Sequence, residues 1–338
     1  MEIKTARANF DYERQLFADT PAAEGKENRE LEYLMFYDTN YSKFYSTEKY
    51  SEEFLSHVES IRHKKFELIP NTANYEFWWG KLQDKELERM LNSKIFCKEL
   101  CNITGLYHPG HIRTIEETLE LGNKLSEVPI FIRQDGTYSG KGLKVFRRSI
   151  EKADLDYLRT LPAQKILTGH WYEERLFDFG IWQSGSQTKV WLNKVNSKGT
   201  FSSSLFCPDL NSYREILGDY FSYLPMAIDM TKEFRKCLFQ KYGANDFKLD
   251  GFVYRFKDRI GIVPVIEVNF RKTMGQVNFM LSSLAKPKRF YELSMTKDFG
   301  YFPKDQEVIR LTPIAGQYQF GIFHAATDST KHLQSYLK

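Results

Sequence analysis

A mixed α+β fold, with hairpins in some stretches and helix–strand alternation in others, is what the sequence predicts. Three observations lead there. Apolar residues recur at helical spacing in several segments, and short apolar runs bounded by turn residues alternate with them. Two of those runs, Lys248–Phe256 and Val263–Phe270, are joined by the polar turn Lys257-Asp-Arg-Ile-Gly261. The third is composition: 338 residues, 42% hydrophobic and 27% charged, which fits a globular chain and excludes disorder, collagen and coiled coil. At about 150 residues per domain, this length accommodates roughly two domains and a real core.

The elements follow in order. Residues 1–30 are polar, with the loop Pro21-Ala-Ala-Glu-Gly25, and read as an arm. Leu31–Tyr37 is apolar and short enough for a buried strand, whereas Phe54, Leu55, Val58 and Ile61 give Tyr50–Ile61 helical spacing. Asp84–Leu100 reads as one helix with Leu87, Leu91 and Ile95 on one side, stopped by Gly105 and Pro109. Thr114-Ile-Glu-Glu117 has capping-box form and opens another helix. Pro129–Arg133 and Leu143–Arg147 read as strands around a glycine-containing loop, and Lys165–Thr168, Phe177–Gln183 and Lys189–Val195 as further strands. Met226–Tyr242 reads as a helix closed by Gly243, and Tyr318–His324 as a last strand.

Composition also bounds the partners. A net charge of +4 carries no basic stripe, since Arg62-His-Lys-Lys65 and Arg147-Arg148 are short and flanked by acids, so nucleic acid is not expected. No apolar run reaches the length of a membrane span, and Met1–Tyr12 lacks the apolar core of a signal peptide. The four cysteines, Cys97, Cys101, Cys207 and Cys237, form neither a disulfide framework nor a Cys-x-x-Cys pair, and a reducing cytoplasm is the expected location. Cys97 and Cys101, four apart on a helix, read as core.

Three constellations carry chemistry. In Asp135-Gly-Thr-Tyr-Ser-Gly-Lys-Gly142 a flexible backbone can turn N–H groups toward phosphate oxygens while Lys141 adds charge. Its spacing is not that of a Walker A loop, and a plain hairpin turn would have similar composition. Arg133, at the end of the preceding strand, adds a cation beside the same position. In Glu267-Val-Asn-Phe-Arg271, strand alternation puts Glu267 and Asn269 on one face, with Arg271 two residues beyond. A carboxylate and an amide oxygen suit a hard cation such as Mg²⁺. Lys248 and Asp250 form a same-face pair on the neighbouring strand; a solvated polar sheet face is the alternative for either pair alone. The third stretch, Trp171–Trp182, offers Glu173, Glu174 and Asp178. Its Asp178-Phe-Gly180 tripeptide matches the magnesium-binding tripeptide of protein kinases, but no His-Arg-Asp loop precedes it.

The order of these pieces resembles the ATP-grasp superfamily, and in particular its carboxylate–amine ligases of the D-alanine–D-alanine ligase type. The resemblance covers about residues 92–275 and implies two α+β lobes sandwiching ATP, with a smaller N-terminal domain. The boundaries would be 1–91 for a substrate domain with its polar arm, 92–170 for the small lobe with the glycine-rich lid, and 171–338 for the large lobe with the hinge and metal site. Lys94 in Asn92-Ser-Lys-Ile-Phe-Cys-Lys98 and Arg133 would approach the phosphates, with Gly136, Ser139, Gly140, Lys141 and Gly142 as the lid. Glu173 or Glu174 with Asp178 would hold adenine and ribose, and Asp250, Glu267 and Asn269 the metal. Lys248 and Arg271 would serve catalysis, supporting the transition state and the substrate carboxylate.

The implied cofactors are ATP and Mg²⁺, two ions in number, with Mn²⁺ as a substitute. The implied reaction is amide or peptide bond formation through an acyl phosphate, releasing ADP and phosphate. Its partners would be small-molecule or peptide carboxylates and amines; neither nucleic acid nor membrane is expected, and an oligomer is compatible with the sequence. Two alternatives remain open from the residues alone. One is a small-molecule kinase acting on a hydroxyl, the other a nucleotide-binding regulatory protein.

Overall fold

Among the described residues three sheets organise the chain, and each follows from the strand patterns around it. The computed structural model describes residues 4–17, 29–122, 129–136, 142–147, 156, 165–196, 201–296, 302–313 and 321–338. The first sheet is parallel, ordered β3-β2-β1-β4, from Thr5–Arg7 (β1), Lys43–Tyr45 (β2), Glu67–Ile69 (β3) and Glu76–Phe77 (β4). Helices Tyr12–Phe17 (α1), Arg29–Met35 (α2) and Glu52–Arg62 (α3) accompany it. In α3, Ser51 caps the first turn by accepting from the Phe54 amide at 3.2 Å, and Phe54 and Val58 turn inward.

Two expectations are corrected here. Residues 4–17 are not an arm: β1 lies inside the sheet between β2 and β4, and Ala6, Tyr12 and Leu16 are fully buried. The remainder of the expected arm, 1–3 and 18–28, lies outside the described residues. Leu31–Tyr37 is no strand but the end of α2 and the turn after it, because a short apolar run carries no periodicity that separates helix from strand.

The expected helix from Asp84 to Leu100 is two, Lys85–Leu91 (α4) and Lys94–Ile103 (α5). Ser93 stops one and caps the other, its hydroxyl accepting from the Phe96 amide at 3.2 Å. Helix α5 buries Cys97 and Cys101 as free thiols. The capping box at Thr114 forms as expected: the Glu117 amide donates to Thr114 Oγ1 at 3.1 Å and the Thr114 amide to Glu117 Oε2 at 2.8 Å, opening Ile115–Gly122 (α6).

The second sheet is antiparallel, ordered β5-β8-β6-β7, from Gly110–Thr114 (β5), Ile130–Gln134 (β6), Leu143–Phe146 (β7) and Lys165–His170 (β8). The third is antiparallel and larger, ordered β13-β12-β9-β10-β11-β14-β16-β15. It comprises Glu174–Ser184 (β9), Gln187–Val195 (β10), Phe201–Phe206 (β11), Asp246–Phe256 (β12), Arg259–Asn269 (β13), Phe290–Met295 (β14), Glu307–Arg310 (β15) and Ile322–Thr327 (β16). Strand β16 replaces the expected Tyr318–His324, of which 318–320 are not described.

Helices Arg214–Leu217 (α7), Tyr223–Met230 (α8) and Lys232–Tyr242 (α9) cover one face of the large sheet with a core that includes Phe177, Leu192, Leu217, Leu224 and Leu249. The expected Met226–Tyr242 helix divides at Thr231, whose buried hydroxyl donates to the Ile228 carbonyl. No described helix is long and apolar enough to cross a membrane.

On the opposite face lies Met274–Ser282 (α10), held by one tight packing contact and one polar clamp. A Cβ at Gly275 would come within 2.0 Å of the Trp191 indole, and one at Gly180 within 2.3 Å, so the indole is wedged between two glycines. Farther along, buried Asn278 donates to the carbonyls of Ser204 at 2.8 Å and Tyr291 at 2.9 Å, and its Oδ1 lies 3.2 Å from His324 Nε2.

Gly275→Ala should therefore lower unfolding stability by about 1–3 kcal/mol, the range for overpacking. Trp191→Phe should recover part of that loss in the double variant, as read by urea titration; strict additivity would contradict the wedge. His324 makes a pH prediction. Burial pushes it down to about 3, so the folded state holds it neutral while the unfolded chain takes up a proton below about pH 6.5. Stability should fall as pH drops below 6.5, and His324→Gln should reduce the loss between pH 7 and pH 5 by roughly 2 kcal/mol. An unchanged slope would contradict it.

Candidate active site

The β12–β13 hairpin sets the site's floor. Asp250 pairs with Glu267 across the ladder and Lys248 with Asn269, so all four side chains rise from one face. A bulge between Asp250 and Phe252 bends β12 just beyond them. Asn269 Nδ2 donates to Asp250 Oδ2 at 2.8 Å, and Asn193 on β10 donates to the other oxygen at 3.3 Å. Burial and the neighbouring Glu267 carboxylate push Asp250 up to about 7. For Glu267 burial also acts upward, but Arg133 and Lys94 outweigh it and hold the carboxyl below its ordinary value.

Those two cations come from different elements. Arg133, near the end of β6, forms an ion pair with Glu267. Lys94 opens α5 and is only 2% exposed; burial lowers it to about 8, against the attraction of Glu267. Asp135 positions that helix end, accepting from Ser93 Oγ and from the Lys94 amide, each at 2.7 Å. A carboxylate at a helix N-terminus satisfies orphan amides and complements the dipole. Thus Lys94, Arg133, Asp250, Glu267 and Asn269, drawn from positions 175 residues apart in sequence, form one cluster.

Other candidate residues lie around it in different states. Lys248 is buried and pairs with Asp246 at 2.9 Å; burial lowers it to about 8. Asp246 also accepts from Trp182 Nε1 at 2.9 Å. Strand β13 ends at Asn269, so Arg271 does not continue its face as expected. Its guanidinium sits 5.3 Å from the Trp79 ring and donates to the Lys272 carbonyl at 2.8 Å, and burial lowers it to about 10.

The expected hinge carboxylates do not join the cluster directly. Glu173 and Glu174 are exposed and pair with Arg147 at 3.2 Å and Arg255 at 2.5 Å. Asp178 is buried and pairs with Arg175 at 3.1 Å and Lys338 at 2.6 Å. Arg175 itself lies against two rings, 4.7 Å from Trp171 and 4.1 Å from Phe252. Gly136 and Gly142 flank the expected lid with φ of 68° and 71°, conformations that favour glycine, and the Gln134 amide donates to the Gly142 carbonyl at 3.0 Å. Ser139, Gly140 and Lys141 lie outside the described residues.

Sequence reading missed Asn193, Asp135, Asp246 and Arg175. Asn193 is recognisable only from strand register, since β10 and β12 are separated by β9. Asp135 could have been found as an acid following the β6 strand, but its partner helix lies 41 residues earlier.

The donor set tests the fit to a divalent cation. Two carboxylates side by side and one amide oxygen are hard ligands, and the upward push on Asp250 by Glu267 marks a pair of negative charges that a cation would relieve. Among the described residues no group of three or more His, Cys, Asp or Glu gathers as a metal cage. The arrangement therefore fits Mg²⁺ sharing its coordination with phosphate and water, not a closed structural site.

No family profile matches the sequence, and no curated protein matches it by sequence. Solved structures do match. An N5-carboxyaminoimidazole synthetase from Staphylococcus aureus, complexed with ADP, aligns with 99% of this chain and 96% of its own at TM-score 0.55 and 9% identity. An ADP complex of an N5-carboxyaminoimidazole ribonucleotide synthetase aligns with 99% of this chain and 97% of its own at TM-score 0.55 and 14% identity. A biotin carboxylase from Campylobacter jejuni covers 99% of this chain and 90% of its own at TM-score 0.52 and 10% identity. With its three sheets matched over nearly the whole length, the chain has the ATP-grasp fold.

Proposed function

We propose that the protein is an ATP-dependent carboxylate–amine ligase that forms an amide or peptide bond through an acyl phosphate and releases ADP and phosphate. The observation that carries this reading is the cluster in which Lys94 and Arg133 face Glu267, Asp250 and Asn269. The ADP complex among the structural neighbours supports a nucleotide at the corresponding fold position. The domain assignment keeps 1–91 as the substrate domain, 92–170 as the small lobe and 171–338 as the large lobe.

Phosphoryl transfer requires neutralised charge and in-line positioning, with no protein nucleophile. Asp250, Glu267 and Asn269 would hold Mg²⁺, which supplies charge neutralisation to the β- and γ-phosphates when bound. Lys94 and Arg133 complete the positive side of the phosphate site, and the loop from Gly136 through Ser139, Gly140 and Lys141 to Gly142 contributes backbone donors. Phosphate oxygens compete with Glu267 for Arg133, so nucleotide binding exchanges one charged hydrogen bond for another. Adenine and ribose are assigned to the segment bearing Glu173, Glu174 and Asp178. Arg271 orients the acceptor carboxylate and Lys248 stabilises the oxyanion formed when the amine attacks. A hydroxyl-phosphorylating kinase would use the same phosphate cations, and it is separated from the ligase by whether phosphate is released only when a carboxylate and an amine are both present.

Glu267→Gln and Asp250→Asn should each leave the fold intact and cut ADP release by at least about 100-fold, the scale of a lost transition-state stabiliser. The assay is a screen of paired carboxylates and amines, amino acids first, and near-normal turnover in both variants would overturn the metal assignment. Arg271→Lys should keep ATP affinity within a few-fold but strongly raise KM for the carboxylate, because a lysine cannot reproduce a two-pronged bond. Lost nucleotide affinity with unchanged acceptor KM would overturn the acceptor role.

A further inference from the structure

The ladder between β9 and β10 ends where Asp178 pairs with Asn193, one strand away from the hairpin that carries the candidate metal ligands. Beyond that pair the Leu176 carbonyl has no β10 partner, and the Lys338 amide donates to it at 2.8 Å. The Lys338 side chain reaches Asp178 from there, its ammonium 2.6 Å from Oδ2. Arg175 holds the other oxygen at 3.1 Å, and its guanidinium is itself fixed against the Trp171 and Phe252 rings. Asp178 is buried, so an ionised carboxylate there needs the cations that meet it.

The segment that delivers Lys338 is anchored on three strands. Leu333 and Tyr336, which bound a short 3₁₀ turn, are both buried. The Tyr336 hydroxyl lies 2.7 Å from Ser203 Oγ on β11 and donates to Glu292 Oε1 on β14 at 3.0 Å. His332 Nε2 lies 3.2 Å from the other Glu292 oxygen, and Lys194 on β10 donates to Ser335 Oγ at 3.0 Å. With the backbone pinned at Leu176 as well, only side-chain freedom is lost when the ammonium meets Asp178. Arg175 and Lys338 take one position on each carboxylate oxygen, which fixes the plane of the group and leaves it acceptor capacity, since a carboxylate offers about four lone-pair sites.

We infer that Lys338 is a positioning residue of the nucleotide site: with Arg175, it holds the Asp178 carboxylate ionised and in the plane that accepts a ribose hydroxyl. This rests on the ligase reading, in which ribose is assigned to the segment bearing Asp178, and adds to it a residue 160 positions away in sequence. A hydroxyl donating to a fixed, charged acceptor makes a charge-assisted hydrogen bond, and a site built around such an acceptor discriminates against analogues that lack the hydroxyl.

The test compares Mg·ADP with the magnesium complex of a dideoxy-ADP lacking both ribose hydroxyls. Each displaces a base-labelled fluorescent ADP from the full chain, and urea titration checks that every variant is folded. The wild-type chain should prefer ADP. Lys338→Met and Lys338→Gln should each weaken ADP about 10-fold, the scale of a charged hydrogen bond, and leave the dideoxy analogue within about twofold. Lys338→Arg should retain the preference, and in an Asp178→Asn background Lys338→Met should add nothing. Equal weakening of both nucleotides, unchanged ADP affinity or tighter ADP binding in the folded Met and Gln variants would overturn the positioning role and leave the ligase reading in place. Equal wild-type affinity for the two nucleotides would overturn it too. Failure of the wild-type chain to bind either nucleotide would overturn the ligase reading itself, and the role of Lys338 with it.

Discussion

The break between α4 and α5 ties the three sheets together. Asn92 ends one helix by donating to the Glu88 carbonyl at 2.8 Å, and its Oδ1 accepts from the Phe270 amide at 3.0 Å, one residue past the end of β13. One residue on, Ser93 and the Lys94 amide bind Asp135 beside the small sheet. Tyr12 from the first sheet's α1 is within 3.3 Å of Asn92 Nδ2. A continuous helix would satisfy its own backbone and leave these neighbours without partners; interrupting it frees two polar side chains and a helix N-terminus to join distant elements.

The charge arrangement at the site depends on that join. Lys94 faces Glu267 only because α5 begins where it does, and Arg133 reaches Glu267 only because β6 is anchored through Asp135. The cluster holds two acids and two cations in a half-buried place where Coulomb interactions are far stronger than in water. Each charge is tolerable because another is near, and the set has no internally best arrangement once a polyanion and a divalent cation compete for the same groups. Sites that must exchange partners have this character: the resting contacts are good enough to fold and exchangeable for those of the substrate.

Legibility in the sequence followed the range of the interactions. The β12–β13 hairpin, the capping box at Thr114 and the Glu267–Asn269 face could be read because they depend on residues a few positions apart. Leu31–Tyr37 reads as a strand and is helix and turn, since a run of seven residues with six apolar fits a strand or a helix equally well until its neighbours are known. The burial of Tyr12 and Leu16 was invisible because the surrounding sequence is polar and only the sheet explains why two apolar residues in it turn inward. Arg271 illustrates the same limit: alternation projected it along β13, but the strand stops at Asn269 and the Trp79 ring takes the guanidinium. Order of motifs along the chain indicated a site, whereas the pairing of Glu173, Glu174 and Asp178 with arginines and a lysine depended on register and chain path.

The first sheet has a core that it does not complete by itself. Ala6, Leu34, Phe44 and Trp78 share one apolar cluster with Met274, Val277 and Leu281 of α10 and with Leu293, Leu311 and Ile322 beyond it. On a ribosome, the strands that emerge first must therefore wait for residues made some 200 positions later before their apolar surface is covered. During that interval the nascent chain presents a parallel sheet with an unfinished face, the kind of surface that molecular chaperones recognise. The apolar face of the first sheet is thus closed only by residues from the last quarter of the chain.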